Sequence, residues 1–208
     1  MPQVLRVSAD SPDPAVIREA GDMMRAGLVV AYPTDTLYGL AVDPRQPEAV
    51  KRLFELKGRA ETSALTLIAA DLSHVRAAGE MTAEAERLAA RWWPGPLTIV
   101  LRARTILARE MLAGGETVGI RVPDHAVAIA LARDAGFPIT ATSANRSGAT
   151  PASTPAAVAE ALPDVDVIVD AGPARGGAPS TIVDASVTPV SLLRTGVVPW
   201  DKVLRSLQ

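Results

Sequence analysis

The 208-residue chain contains no cysteine. That removes disulfides, thiolate metal sites and a cysteine nucleophile together. Histidine occurs only at His74 and His125, too few for a structural zinc site in a chain without thiolates. Lysine is confined to Lys51, Lys57 and Lys202 within a Lys+Arg total of 21, so cationic chemistry falls mainly to arginine. Aromatics make up 3% and the net charge is −2, which argues against a dedicated nucleic-acid coat. No apolar run approaches the roughly 20 residues of a membrane helix. The opening MPQVLRVSADSPDP lacks the basic-then-apolar order of a signal peptide. A cytoplasmic protein with no membrane partner is expected. There is no G-x-x-x-x-G-K-[ST] loop, no G-x-G-x-x-G between strand and helix, and no G-x-S-x-G elbow. A nucleotide, if one binds, is held by other means.

What remains is a chain with 48% apolar and 21% charged residues, a balance that builds one well-packed domain. Helices are expected at 14–26, 47–57, 82–93, 125–135 and near 154–162, several opened by proline, serine or threonine and closed by glycine. Apolar β-type runs fall at 28–32, 65–70, 97–103, 117–122, 139–143, 165–171, 180–186 and 190–194. Helices and strands alternate until the last strands, which follow one another directly. The expected fold is α/β: a single domain over 1–208, with a twisted sheet of parallel and antiparallel strands and flanking helices.

Four segments carry polar chemistry at the ends of apolar runs. In YPTDTLYG (32–39), Thr34 and Thr36 flank Asp35; their hydroxyls suit a small polar ligand, and equally a turn capped by Thr34 or Asp35. Lys57-Gly-Arg59 ends a helix, where cations complement the helix dipole or converge on phosphate. In TSANRSG (142–148), Ser143 and Asn145 share a face if the strand continues. Arg121 and Arg194 lie in apolar strand patterns, and such an arginine must meet an anion or reach solvent. Ser180 and Thr181 open a further strand. The WWPGP run at 92–96 reads as core and turn.

In this order the segments YPTDTLYGLAVDP (32–44), LFELKGR (53–59), WWPGPLTIVL (92–101), VGIRVPDH (118–125), TSANRSG (142–148), PSTIVD (179–184) and LLRTG (192–196) resemble the YrdC/TsaC family of threonylcarbamoyl-AMP synthases. The length resembles its short, single-domain form. The resemblance implies a YrdC-like fold and a nucleotidyltransferase. Its reaction makes L-threonylcarbamoyladenylate from L-threonine, bicarbonate or CO2 and ATP, with release of pyrophosphate. The product then serves N6-threonylcarbamoyladenosine formation in tRNA.

It also implies roles. Lys57 and Arg59 act on the transferring phosphoryl group. Thr34, Thr36, Arg121 and Ser180 bind threonine. Ser63, Ser143, Asn145 and Arg194 join Lys57 and Arg59 at ATP. Mg2+ is expected with the ATP and not on a site held by the protein alone. Expected partners are a downstream tRNA threonylcarbamoyl transferase complex and tRNA itself in a basic cleft. The stretch after Lys57-Gly-Arg59 reads Ser63-Ala64 and Ile68 where many members have Asn-Pro and histidine, so part of the threonine or ATP contact must differ or come from Ser63, Thr66 or backbone. The competing readings are a non-catalytic RNA-binding relative and an enzyme that forms carbamoyl adenylate.

Overall fold

Helix boundaries fall where the capping chemistry puts them. The structure, a computed structural model, describes residues 1–58 and 64–208. After β1 (Gln3–Arg6), Asp13 caps α1 (Pro14–Arg25) by accepting from Ala15 N at 2.8 Å. β2 (Val30–Pro33) and β3 (Tyr38–Ala41) lead into α2 (Pro47–Lys57), which Gly58 ends at φ +57. That left-handed φ suits glycine and fixes where Lys57 leaves the helix. Next come β4 (Thr66–Ile68), α3 (Leu72–Ala78), β5 (Gly79–Glu80) and α4 (Ala83–Trp92), the last capped by Thr82 on Ala85 N at 3.1 Å. β6 (Leu97–Ala103), a 3-10 turn (Arg109–Leu112), β7 (Thr117–Arg121), α5 (Ala126–Ala135) and β8 (Ile139–Ser143) follow. The chain continues through α6 (Pro155–Ala161), β9 (Val167–Asp170), β10 (Thr181–Asp184), β11 (Ser191–Arg194) and α7 (Trp200–Arg205).

Among the described residues the strands form one sheet in the order β1-β9-β2-β3-β8-β4-β7-β6-β10-β11, with β5 on β6. Pairs β1/β9, β2/β9, β4/β7 and β6/β10 are parallel and the others antiparallel. The mixed sheet with flanking helices is as expected. β3, α3, β5 and α7 are additions to the expected elements, as is β1. β3 reads YGLA, and a four-residue strand with glycine and alanine inside gives little β-type signal.

The two sheet faces differ, and the difference makes the site. Leu40, Leu67, Ile99, Ile120 and Val183 pack on one face against Val50, Leu53 and Phe54 of α2, Leu88 of α4 and Val203 of α7. On the other face Val30, Tyr32, Ala41, Ile68 and Ile139 pack against Ile17 and Met24 of α1 and Val127 and Leu131 of α5. These two helices cover only part of their face. Arg25, at the end of α1, pairs with Asp134 at 3.0 Å and so joins the helices to each other. Past Ile68 and Ile139, toward β6, β10 and β11, the same face has no helix in that packing cluster. Among the described residues no helix is long and apolar enough to cross a membrane.

Candidate active site

The register places small and polar side chains on the uncovered half of the sheet. Directly opposed residues share a face. The pairings Gly39↔Ser143, Thr66↔Ala141, Thr66↔Gly119, Ile68↔Arg121, Val100↔Gly119, Thr98↔Ile182 and Ile182↔Arg194 therefore run as a row across β3, β8, β4, β7, β6, β10 and β11. A Cβ on Gly119 would lie 3.0 Å from Thr66 Cγ2 and 3.1 Å from Thr98 Cγ2, so any side chain there would press on both threonine methyls. Above this floor lies a cavity of about 420 Å3. Of the residues expected from sequence, Thr34, Thr36, Arg121, Ser143, Ser180 and Arg194 line it. The site thus occupies a sheet face more than the strand ends.

The loop after β2 supplies one wall. Thr34 Oγ1 donates to Leu37 O at 2.8 Å and accepts from the N–H groups of Thr36 and Leu37 at 3.2 and 3.3 Å. Thr34 thus caps the turn, while the Thr36 hydroxyl meets it at 3.1 Å. Thr36 is the better placed of the two to meet a ligand, since the capacity of the Thr34 hydroxyl is taken up by the turn.

Against the same loop, Arg121 ends β7 with its side chain only 8% exposed. Its Nη1 donates to Asp35 Oδ1 at 2.6 Å, and the Asp35 side chain is 5% exposed. The anion demanded by an arginine in an apolar strand is therefore Asp35. The sequence reading gave Asp35 only a turn-capping role, and Thr34 performs that one. The missed signal was the arginine itself, which requires a carboxylate from elsewhere in the chain.

At the rim, Ser180 Oγ lies 2.9 Å from Thr98 Oγ1. Arg194 donates from Nη2 to Ser180 O at 2.8 Å and to Ser180 Oγ at 3.1 Å. Arg194 has no ion pair among the described residues. Partial burial and the like charge of Arg121 push its guanidinium below its ordinary value. Two cations thus line one cavity, and the Asp35 carboxylate pairs with only one of them, which leaves positive charge suited to an anion. Of the floor residues, Thr66 is one of the expected contacts, whereas Thr98 and Gly119 carry no sequence signal, because the common face of the three emerges only from the strand register.

Two expectations change on the other side. Ser143 and Asn145 do not share a strand face, because β8 ends at Ser143 and the chain turns there, Asn145 N donating back to Ser143 O at 3.0 Å. Lys57 is buried and is not among the cavity-lining residues. Its ammonium donates to Ser143 O and, at 2.8 Å, to Asn145 O. Asn145 Nδ2 donates to Arg146 O at 2.8 Å and Ala149 O at 2.7 Å. Lys57 and Asn145 thus shape the turn that presents Ser143. Arg59 and Ser63 lie outside the described residues.

His125 stands just before α5 with its Nδ1 buried and unpartnered among the described residues. Burial pushes both His125 and His74 below the ordinary imidazole value of 6.5. The unfolded chain therefore binds these protons first, so stability is complete above about pH 6.5 and falls as the pH drops below it. We expect the melting temperature to fall between pH 7.5 and 5.5, and to fall less in a His74→Gln/His125→Asn variant. Calorimetric scans that show equal slopes would contradict this.

A family model for Sua5, YciO and YrdC, described as telomere recombination, matches residues 22–196. A Pyrococcus abyssi protein named threonylcarbamoyl-AMP synthase is 39% identical over 189 residues, covering 90% of this chain and 56% of the relative. A Bacillus subtilis protein of the same name is 38% identical over 190 residues, covering 90% and 55%. The chain therefore spans little more than half the length of these two relatives. The structure of P. abyssi Sua5 complexed with L-threonine superposes with a TM-score of 0.93 at 36% identity, covering 98% of this chain and 60% of that one. Escherichia coli YciO gives 0.87 at 29% identity, covering 96% and 98%. The match over 22–196, together with the shared architecture, establishes that the chain belongs to the Sua5/YciO/YrdC family.

Proposed function

We propose that the cavity synthesises L-threonylcarbamoyl-AMP. The observation that carries this reading is the pair of guanidiniums, Arg121 and Arg194, facing one hydroxyl-rich cavity with Asp35 as their only carboxylate among the described residues. Such a site suits a substrate carboxylate and a phosphate chain together. The synthase relatives and the threonine complex of P. abyssi Sua5 support that choice of ligands.

In this proposal Arg121 receives the threonine carboxylate, while Thr36 and the Ser180–Thr98 hydroxyl pair meet its polar groups. The unprotonated amine adds to CO2, losing a proton and forming a carbamate. A carbamate oxygen then attacks the α-phosphorus of ATP, and pyrophosphate leaves. Neither step requires a protein nucleophile. The protein's contribution is position, and positive charge where the phosphoryl group gains charge.

Arg194 lies where it can hold the nucleotide phosphates. Ser143, on a turn fixed by Lys57 and Asn145, contributes a hydroxyl to the same side. Arg59 and Ser63 join the nucleotide side by resemblance alone. Among the described residues the side-chain polar groups of the cavity are hydroxyls and guanidiniums, a set that does not fit a resident divalent cation. Mg2+ accordingly enters bound to ATP and carries no step assigned to the protein. The product would pass to a tRNA threonylcarbamoyl transferase complex.

Pyrophosphate release from ATP tests the reading. It should require bicarbonate and L-threonine, and L-serine should replace threonine poorly. Release at the same rate without an amino acid would overturn it.

A further inference from the structure

Asp35 is the least explained charge in the molecule. Its side chain is 5% exposed, and its Oδ1 accepts from Arg121 at 2.6 Å. Its Oδ2 is buried with no partner among the described residues. A buried carboxylate oxygen without a donor is destabilising, so packing alone gives no reason for it. Asp35 does not line the cavity, whereas Arg121 does. Whatever Asp35 contributes to a ligand therefore passes through Arg121.

Its place in the chain gives the contribution a direction. Asp35 lies between Thr34, which caps the turn, and Thr36, whose hydroxyl forms the cavity wall. One short loop therefore carries both the wall and the clamp on Arg121. An arginine presents five N–H donors in a fixed plane. Fixing Nη1 on Asp35 sets that plane and commits the other donors to a direction. The carboxylate also offsets one of two like charges that sense each other across the cavity.

We propose that Asp35 is a positioning residue: it orients the Arg121 guanidinium for a ligand carboxylate and limits the positive charge of the cavity. This rests on the reading that the cavity binds L-threonine. The two effects have opposite signs for two classes of ligand, and that makes them separable. An amino-acid carboxylate needs the oriented fork. A small polyanion responds chiefly to net charge, which rises by one when the carboxylate is lost.

The test is equilibrium binding of L-threonine and, separately, of inorganic pyrophosphate to the full chain and to Asp35→Asn, with thermal unfolding recorded for both. For Asp35→Asn we expect the Kd for L-threonine to rise about tenfold or more, while the Kd for pyrophosphate stays within about twofold or falls. Unchanged threonine affinity overturns the proposal, and so does an equal loss for both ligands, which marks a purely structural role. A wild-type protein that binds pyrophosphate but no L-threonine overturns the functional reading and this proposal with it.

If Asp35→Asn does not fold, NMR of the wild-type arginine side chains decides. The Arg121 resonances, assigned by their loss in Arg121→Lys, should show hindered rotation of the guanidinium before any ligand is added. Free rotation overturns the proposal.

Discussion

Arg121→Ala is expected to lower kcat/KM for L-threonine by about 10²- to 10³-fold, with most of the loss in KM. The size follows from losing charge-assisted hydrogen bonds to a carboxylate inside a shielded cavity, each about 1.5–3 kcal/mol, where every 1.4 kcal/mol is tenfold in affinity. The same change also destabilises the fold. Arg121 and Asp35 are 8% and 5% exposed, and truncating one partner of such a pair strands the other as an uncompensated charge, at about 3–5 kcal/mol.

The two consequences separate in a second variant. Arg121→Met/Asp35→Asn removes both charges, so it should recover most of the stability and none of the threonine affinity. Calorimetric unfolding paired with steady-state kinetics reads both quantities. A double variant as unstable as Arg121→Ala would show that the ion pair is not the source of the destabilisation.

Gly196→Ala carries the second large expected effect, and it falls on folding. The glycine follows Arg194 by two residues. A Cβ there would fall inside the van der Waals surfaces of Pro179 O, Ser180 C and Thr181 N. These are backbone atoms and cannot rotate aside. The end of β11 must instead move off the start of β10, at the expense of Val197 N→Pro179 O at 3.0 Å, Thr181 Oγ1→Val198 O at 2.7 Å and the contacts of Arg194 with Ser180.

Overpacking against backbone is expected to destabilise by about 3 kcal/mol, a fall in Tm of about 6–12 °C for a chain of this size. Gly58→Ala supplies the comparison, because nothing stands within 4 Å of a Cβ there and only its φ of +57 resists; that change should destabilise by about 1 kcal/mol. If Gly196→Ala proved no worse than Gly58→Ala, the close approach of β11 to Ser180 would be disproved. The glycine in LLRTG thus has a physical role: it lets Arg194 come down on Ser180.

The extent to which this was legible in sequence varies with the kind of information required. Helices α1, α2, α4, α5 and α6 were legible because their signals are local: Pro14, Pro47, Thr82 and Thr154 at the starts, Gly58 and Gly136 at the ends. The mixed sheet followed from consecutive strand-like runs without helices between them. The sheet order was not legible, since β9 inserts between β1 and β2, and β8 between β3 and β4, through pairings distant in sequence.

The site divides in the same way. Its arginines stood out because guanidiniums in apolar strands need an explanation. Its floor was legible only at Thr66, by resemblance, because Thr66, Gly119 and Thr98 come from three strands and meet only through register. Lys57 stood out by scarcity, yet its reach to the carbonyls of Ser143 and Asn145 depends on how α2 lies beside the end of β8. Asn145 failed to share a face with Ser143 because the strand ended at Ser143, two residues before the alternation would have brought Asn145 round.

The central claim is that this cavity joins a threonine carbamate to the α-phosphate of ATP. The most direct test incubates the purified protein with ATP, Mg2+, L-threonine and 13C-bicarbonate and follows the products by mass spectrometry. The account predicts threonylcarbamoyl-AMP carrying one 13C, formed in step with pyrophosphate, and strongly diminished in Arg121→Ala. Intact wild-type protein that binds ATP and L-threonine yet yields no labelled adenylate would contradict it.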